Sequence, residues 1–311
     1  MKKIFILGGG TATAWHLCNI IKRDFLDCFY LYIGDINERK FIPSSLLCDR
    51  YIQLQYTTNH SFYYSYMLEV LKNEKIDFLI PLIDNDLFLF SNDNPDLLKL
   101  NVQSTSPCGK TMNICMTKKN ISIFLTEHGL LVPRHYKKEE IETEKVYFVK
   151  PNKGFGSKDA RTEKGKDISY SDDIIIQEVL HKPEITVEIF KKNDYYNFII
   201  RERIETKSGV STKARFIIDS EIVTIINRIN NIFDLPLVSC VQFMKNEEEK
   251  WYLTDLNMRL GAGTALSTAA GFSIASAFIS VLAGRGDFKK YLKDVPMNLI
   301  VTRVYNELVM P

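Results

Sequence analysis

The chain has 311 residues, of which 45% are hydrophobic and 25% are charged, the proportions of an ordinary soluble globular protein. Forty Lys and Arg against 38 Asp and Glu leave a net charge of +2, which gives no reason to expect nucleic acid or an anionic membrane as a partner. The apolar run Ile4–Leu7 is too short for a signal peptide, and no stretch has the length of a transmembrane helix. Six cysteines without a CxxC pair argue against structural zinc. We therefore expect a cytoplasmic protein with room for two or three subdomains.

The first hundred residues predict an open parallel α/β sheet, because strand and helix patterns alternate there. The predicted order is strand 3–7, helix 11–22, strand 29–33, helix 63–73 and strand 78–83. Ligands bind such sheets at the carboxyl ends of the strands, which here are Gly8–Gly10 and Asp84–Asp86. Asp84–Asp86 is equally compatible with a solvated turn that caps a helix.

An NAD-dependent oxidoreductase is one alternative for this N-terminal part. Gly8–Gly10 lies between a strand and a helix, and Asp35 follows the second strand, where an acidic residue often meets a ribose. The turn does not match GxGxxG, however, and this alternative leaves residues 146–263 without an explanation.

Beyond residue 110 the pattern changes to strands with one polar face. The predicted elements are helix 111–129, strands 146–151, 174–180, 184–190 and 196–206, a polar loop 207–213, strands 215–218, 238–243 and 251–257, helix 267–282 and a strand-like piece 297–305.

A glycine-rich stretch follows strand 146–151 directly. The loop at residues 152–158 can offer backbone N–H groups to phosphates, and Lys150 at the end of the strand supplies a point charge. The stretch is not a Walker A motif, and taken alone it is also compatible with a simple turn.

Residues 251–263, WYLTDLNMRLGAG, contain the most informative polar pattern. In a strand Asp255, Asn257 and Arg259 share one face, while Leu256 and Met258 point into the core. A carboxylate beside an amide oxygen suits Mg²⁺ that bridges phosphates, and an arginine fork stabilises phosphoryl or oxyanion charge. The alternative is a polar strand face with a structural Asp–Arg pair.

Two neighbouring strands add polar groups to this picture. Gln242 can face Asp255 across a hairpin that turns at residues 247–250. Glu184 and Glu188 share a face of strand 184–190, which fits acceptors for adenine and ribose, or simply the solvent side of a sheet.

In their order along the chain these signatures resemble those of the ATP-grasp superfamily. The resemblance is carried by Lys118 before EHGLLVP, by FVKPNKGFGSKDA, by IIIQEVLHKPEITVEIF and by VQF…WYLTDLNMRLGAGT. It is closest to the carbamoyl-phosphate-synthase-like branch of stand-alone carboxylate–amine ligases. It implies an α/β fold, α+β in its C-terminal part, with a Rossmann-like pre-ATP-grasp domain at 1–108, a small lid subdomain at 109–176 and a C-terminal subdomain at 177–311.

The resemblance also implies a nucleotide site. Two lysines and the glycine-rich loop would contact the phosphates of ATP, a glutamate and the backbone after it would hold adenine, and a second glutamate the ribose. The implied nucleotide-binding residues are Lys118, Lys150, Gly154, Phe155, Gly156, Ser157, Glu178, Val179, Leu180 and Glu184.

For metal and catalysis the resemblance implies a second set. Gln242, Asp255 and Asn257 would bind Mg²⁺, with Mn²⁺ as the alternative metal. Arg259 and Lys150 would be catalytic, with Arg259 steadying the transferring phosphoryl group and the later tetrahedral intermediate.

The activity that the resemblance implies is ATP-dependent ligation. A small carboxylate, such as an amino acid, would be activated as an acyl phosphate and attacked by an amine or a thiol, with ADP and phosphate as by-products. The chain departs from the family in having Asp255 where the motif usually has Glu, and it stops at Pro311 where most relatives continue. Both departures motivate an alternative, a non-catalytic ATP-binding protein that retains the fold.

Small-molecule substrates are the partners that this assignment implies, and a homodimer is compatible with the size of the chain. Four basic residues on or near the predicted sheet are hypothesised to hold a substrate carboxylate, although a charged sheet face fits them equally well. These residues are Arg201, Arg203, Lys213 and Arg215.

Overall fold

The N-terminal part of the chain forms a five-stranded parallel sheet. The computed structural model describes residues 1–56, 59–153 and 159–310. Strands in the order β3-β2-β1-β4-β5 make the sheet, so the chain crosses between β3 and β4 to the other side of β1. The elements are β1 (Lys2–Leu7), α1 (Ala12–Asp24), β2 (Phe29–Asp35), β3 (Arg50–Gln53), α2 (His60–Glu74), β4 (Phe78–Pro81), α3 (Asp84–Leu89), α4 (Pro95–Lys99) and β5 (Gln103–Ser104).

Local sequence explains why β1 leads into α1. Ile4–Leu7 are fully buried, as both faces of a parallel strand require. Gly8 has φ +78°, a conformation that glycine adopts without strain, and Thr11 then caps α1 by accepting a hydrogen bond from the N–H of Ala14 at 3.1 Å. The predicted parallel sheet is therefore confirmed over this region.

The single helix predicted at 111–129 is wrong in one respect, because the structure has two helices there. These are α5 (Gly109–Cys115) and α6 (Lys118–Glu127). Thr117 is extended and its hydroxyl accepts from the N–H of Asn120, so it begins a new helix. The break places Lys118 in the first turn of α6 instead of in the middle of a helix.

A small antiparallel sheet follows, in the order β7-β6-β8. It consists of β6 (Val146–Pro151), β7 (Arg161–Lys164) and β8 (Ile174–Gln177). The predicted strand 174–180 is too long, because the chain leaves the sheet after Gln177 and Glu178–Leu180 connect it to the next sheet.

The third sheet has six strands in the order β13-β12-β9-β10-β11-β14. Its elements are β9 (His181–Lys192), β10 (Tyr195–Lys207), β11 (Val210–Phe216), α7 (Ser220–Ile232), β12 (Val238–Lys245), β13 (Trp251–Asn257), α8 (Thr264–Ala269), α9 (Ile274–Leu282) and β14 (Ile300–Thr302).

Two predictions in this region need correction, and one helix was not predicted. The polar loop predicted at 207–213 is a tight turn at Ser208–Gly209, and β11 already begins at Val210. The helix predicted at 267–282 is interrupted at Gly271, whose φ of +106° does not occur in a helix. Helix α7 was not predicted, although Asp219 caps it and its isoleucines at 222, 226 and 229 are buried on one side.

Helix α9 connects the parallel sheet to the six-stranded sheet. It is buried on nearly all sides and contacts both α1 and β9. A hydrogen bond of 3.0 Å between His16 on α1 and Thr268 on α8 joins the same two parts of the chain. The N-terminal turn therefore faces the polar side of the large sheet.

The predicted mixed α/β class is confirmed, with one parallel sheet and two antiparallel sheets. The division of the chain after residues 108 and 176 stays a prediction. Within the described ranges, no helix is long and apolar enough to cross a membrane.

Candidate functional site

One cavity of about 970 Å³ lies where the three sheets meet. All ten predicted site residues that the structure describes line it, although they come from five separate segments of the chain. They are Lys118, Lys150, Glu178, Val179, Leu180, Glu184, Gln242, Asp255, Asn257 and Arg259. Gly154, Phe155, Gly156 and Ser157 lie outside the described residues. The cavity is therefore the candidate active site.

The floor of the cavity is the polar face of the large sheet. Asp255 lies opposite Gln242, Gln242 opposite Thr186, and Thr186 opposite Arg201, across the four adjacent strands β13, β12, β9 and β10. Leu256 is buried on the opposite face, as the alternation predicts. The register puts a carboxylate, an amide, a hydroxyl and a guanidinium in one row.

A β-bulge connects this floor to Lys150. Gln242 pairs with Asp255 but Phe243 pairs with Leu253, so Thr254 is an extra residue on β13. Its carbonyl oxygen accepts a hydrogen bond of 3.1 Å from Lys150 Nζ. The bulge thus holds Lys150 of the small sheet against β13.

Lys150 is in an unusual environment for a lysine, since only 9% of its surface is exposed. The pKa of Lys150 is lowered to about 8, chiefly by burial; the carboxylate of Asp255 opposes the change and the neighbouring Lys118 adds to it. Lys150 therefore loses its proton near pH 8, and an anion next to it would stabilise the charged form.

Three oxygen-bearing side chains at the Asp255 end fit a magnesium ion. Asn257 Nδ2 donates to Asp255 Oδ2 at 2.9 Å, which leaves the amide oxygen of Asn257 and the other carboxylate oxygen as acceptors. Gln242 lies directly opposite Asp255 on β12. Only one of the three is charged, and no cluster of three His, Cys, Asp or Glu side chains occurs in the described part of the chain. The set suits a hard cation that also takes oxygen ligands from a phosphate.

Arg259 makes the contact between the N-terminal sheet and this end of the cavity. Its Nε donates to Asp84 Oδ1 at 3.0 Å, and its Nη1 donates to the carbonyl of Leu260 at 3.2 Å. Both charged side chains are largely buried. Asp84 was predicted to meet a ligand or to cap a helix. It begins α3 and, in addition, holds the guanidinium of Arg259.

The opposite end of the cavity contains the segment Glu178–Leu180. Glu178 Oε1 accepts from the N–H of Arg134 at 2.7 Å, which fixes the start of this segment. Next to it, Gln177 and His135 are hydrogen-bonded side chain to side chain at 2.7 Å. Burial, together with the charges of Lys150 and Lys119, lowers the pKa of His135 to about 4, so this ring is neutral at physiological pH.

The N-terminal turn contributes to the cavity through different residues from those predicted. Thr11, Ala12 and Thr13 line the cavity, whereas the preceding glycines pack against the sheet. A Cβ on Gly9 would lie 2.4 Å from Ile33, so the crevice beside the turn is already filled.

Asp35 does not support the oxidoreductase alternative. Its Oδ2 accepts from the N–H of Gly10 at 2.8 Å, and its Oδ1 accepts from the backbone and side-chain nitrogens of Asn37. Both oxygens therefore stabilise the turn, and the side chain is buried there instead of facing a ribose site.

Residues 170–305 match the family described as ATP-grasp in the biosynthetic pathway with Ter operon. No curated protein sequence matches the chain.

Solved structures of similar fold cover nearly the whole chain. An N5-carboxyaminoimidazole synthetase from Staphylococcus aureus complexed with ADP is 15% identical, with a TM-score of 0.66 over 92% of this chain and 78% of that one. A carboxyaminoimidazole ribonucleotide synthase from Aspergillus clavatus complexed with ATP is 13% identical, with a TM-score of 0.73 over 94% and 79%. An L-amino acid ligase from Bacillus licheniformis is 11% identical, with a TM-score of 0.70 over 93% and 76%. Residues 170–305 therefore match an ATP-grasp family model, and the chain as a whole shares the fold of these solved structures.

Proposed function

We propose that the protein is an ATP-dependent ligase that joins a small carboxylate to an amine through an acyl phosphate. The observation that carries the proposal is the convergence of ten residues from five segments on one cavity, with the order and chemistry that this reaction needs. The cavity of about 970 Å³ is large enough for a nucleotide and a second small molecule.

In this proposal the nucleotide lies along the floor of the cavity. Adenine binds at Glu178–Leu180, and the phosphates extend toward Lys118, Lys150 and Asp255. The ribose role proposed for Glu184 has to be shared, because Glu184 Oε1 also accepts from Arg203 Nη1. The glycine-rich loop at 154–157 would cover the phosphates.

The metal supplies charge neutralisation at the phosphates when it is bound. Gln242, Asp255 and Asn257 would hold it together with phosphate oxygens, since one carboxylate in the protein set is too little for a site without nucleotide. Metal binding is therefore expected to require ATP.

The chemistry needs no nucleophile from the protein. An oxygen of the substrate carboxylate attacks the γ-phosphorus, the bond to the β-phosphate oxygen breaks, and ADP leaves. The amine then attacks the acyl carbon and gives up a proton, and inorganic phosphate leaves with the electron pair of the C–O bond and takes up that proton. Arg259 and Lys150 would stabilise the negative charge that develops in both steps.

A non-catalytic ATP-binding protein is the second candidate. The observation in its favour is the low charge of the metal set, in which Gln242 and Asn257 are neutral and Asp255 is the one carboxylate. Such a protein would bind Mg-ATP without releasing ADP in the presence of any carboxylate and amine.

Calorimetric titration with ATP, with and without Mg²⁺, tests the proposal. We expect metal-dependent binding by the unaltered protein and binding weakened about tenfold or more by Asp255→Ala and by Lys150→Ala, because each removes a charged partner of the Mg-phosphate group. Lys213→Ala is the control, since Lys213 forms an exposed pair with Glu205 outside the cavity. If the protein binds no ATP, both candidates are wrong. If it binds ATP, the release of ADP with screened carboxylate–amine pairs distinguishes the ligase from the non-catalytic protein.

Lys150 predicts how ATP affinity changes with pH. Because the pKa of the free lysine is about 8, a bound phosphate raises that pKa and ATP binding takes up a proton above pH 8. Affinity should therefore be constant well below pH 8 and fall by up to about tenfold per pH unit above it. Calorimetry in buffers of different ionisation enthalpy measures the proton uptake directly.

The matched variant for this prediction is Lys150→Arg, which keeps the positive charge but does not titrate in this range. Its ATP affinity should lose the decline above pH 8. Equal pH profiles for Lys150→Arg and the unaltered protein would show that another group is responsible.

A further inference from the structure

The cavity has a second concentration of positive charge, on strand β10, that the reaction proposed above does not use. Arg201 and Arg203 both line the cavity, yet only 3% and 7% of their surfaces are exposed. Lys213 and Arg215, the other two residues that were hypothesised to hold a substrate carboxylate, do not line the cavity. Outside it, Lys213 pairs with Glu205 and Arg215 pairs with Glu202. The sheet thus separates the four predicted residues into two pairs.

The guanidinium of Arg201 is held by two neighbouring side chains and retains N–H groups that can donate to a ligand. Glu188 Oε1 accepts from its Nε at 3.4 Å and its Nη2 at 3.2 Å, and Ser211 Oγ accepts from its Nη1 at 2.9 Å. A guanidinium has five N–H groups, so these bonds leave one N–H on each terminal nitrogen. Such a pair matches the two oxygens of a carboxylate.

The wall beside Arg201 contains a polar group that points to a ligand. Thr186 lies directly opposite Arg201 on β9, lines the cavity and is 3% exposed. Among the described residues its Oγ1 has no hydrogen-bond partner. A buried hydroxyl is normally satisfied, so a molecule in the cavity is expected to complete it.

The charges around Arg201 do not balance. Arg201 and Arg203 pair with Glu188 and Glu184, and the half-buried Arg303 donates to the carbonyl of Ala262 on the cavity wall at 2.7 Å. Three guanidinium groups against two carboxylates leave one positive charge in excess. Burial lowers the pKa of Arg303, and the charge of Arg201 lowers it further, as expected for cations held close together.

Another part of the cavity wall favours an anion as well. The first residues of the 13-residue helix α1, Ala12 and Thr13, line the same cavity, and the N–H groups of a first helical turn have no partner within the helix. Gly263 completes the wall, and a Cβ at this position would lie 1.9 Å from Arg201 Nη2. Glycine is thus what allows the guanidinium to reach its place.

We propose that Arg201, Thr186 and the adjoining wall form a subsite for a substrate carboxylate that is not the one activated by ATP. A single excess positive charge and a planar pair of donors suit a carboxylate better than a phosphate dianion. One of the two ligase substrates then carries an additional carboxylate, as an amino acid that reacts through its amine or a dicarboxylate does. This inference rests on the proposed function.

The test is calorimetric titration with malonate, with methylphosphonate, and with malonamide as the uncharged analogue. Each is added to the nucleotide-free protein and to protein saturated with a non-hydrolysable ATP analogue and Mg²⁺. We expect malonate to bind at least about tenfold more tightly than malonamide, because the carboxylate gains charged hydrogen bonds. Methylphosphonate should bind more weakly than malonate.

Two variants place the site without leaving Glu188 unpaired. Arg201→Lys keeps the charge but loses the fork, and Gly263→Ala displaces the guanidinium; each should weaken malonate about tenfold. Arg215→Lys, on the exposed pair with Glu202, is the matched control and should have no effect.

Three results would overturn the inference. The first is equal affinity for malonate and malonamide, and the second is an unchanged affinity for malonate in both variants. The third is weaker binding of the ATP analogue, instead of malonate, by the variants, which would assign Arg201 to the nucleotide. If the ATP analogue does not bind at all, the proposed function fails, while the titration of the nucleotide-free protein still decides whether the carboxylate subsite exists.

Discussion

Arg259→Ala is expected to weaken Mg-ATP binding by about 10- to 100-fold and to leave ADP binding nearly unchanged. The physical reason is that the proposed partner of the guanidinium is the γ-phosphoryl group, and a charged hydrogen bond contributes about 1.5–3 kcal/mol. The ratio of the two dissociation constants, measured by calorimetry, is therefore the informative quantity. It needs no knowledge of the other substrates.

Asp84→Asn should change the same ratio in the same direction, although Asp84 contacts Arg259 and does not line the large cavity. The carboxylate holds Arg259 Nε at 3.0 Å, so its loss frees the guanidinium to leave the position in which it meets a phosphate. Since the two residues would act as a unit, the double variant should be no worse than Arg259→Ala alone.

Asp24→Asn is a suitable control for this prediction. Asp24 also pairs with an arginine, Arg23, and its side chain is 28% exposed against 24% for Asp84, but it lies at the end of α1 away from the cavity. If Asp84→Asn leaves the ratio of the dissociation constants for ATP and ADP unchanged, the N-terminal sheet does not position Arg259.

The contact between Asp84 and Arg259 also shows what the sequence could not predict. Asp255, Asn257 and Arg259 are close in sequence, and strand alternation alone put them on one face. Asp84 is 175 residues away from Arg259, and no local pattern connects them. Predicting that ion pair requires the packing of the N-terminal sheet against the end of β13.

The candidate site was predictable to the extent that strands and hairpins determine it. The hairpin at 247–250 predicts that Gln242 faces Asp255, and the register agrees. The bulge at Thr254 was not predictable, because no local pattern indicates it. The carbonyl oxygen of Thr254 accepts a hydrogen bond from Lys150, which belongs to a different sheet. Alternation places residues on one of two faces, but it does not say which face is covered.

The arginines of the large sheet illustrate the same limit. A strand period of two groups Arg201 with Arg203, and the sequence gives no reason to prefer this pair over Arg215 for the cavity. The choice depends on irregular pairing between β10 and β11 after Arg203 and on Ser211, which bonds to both buried guanidinium groups. Helix α7, in contrast, has a cap and an apolar stripe that are local features of the sequence and indicate a helix.

Glu188→Gln is expected to destabilise the protein by about 3–5 kcal/mol, the cost of leaving one partner of a buried ion pair without its counter-charge. Glu188 is 1% exposed and Arg201 3%, so solvent compensates little for the lost carboxylate. Chemical denaturation measures the free energy of unfolding. The control is Glu202→Gln, whose partner Arg215 is 44% exposed and whose loss should cost about 1 kcal/mol or less.

A third protein separates stability from binding. The double variant Glu188→Leu with Arg201→Met replaces both charges by apolar groups and should recover most of the lost stability, because two buried charges no longer need compensation. It should nevertheless fail to bind malonate. If the double variant is as unstable as Glu188→Gln, the stability of this region depends on the shape of the pair and not on its charge. If the double variant binds malonate as tightly as the unaltered protein does, the carboxylate subsite lies elsewhere.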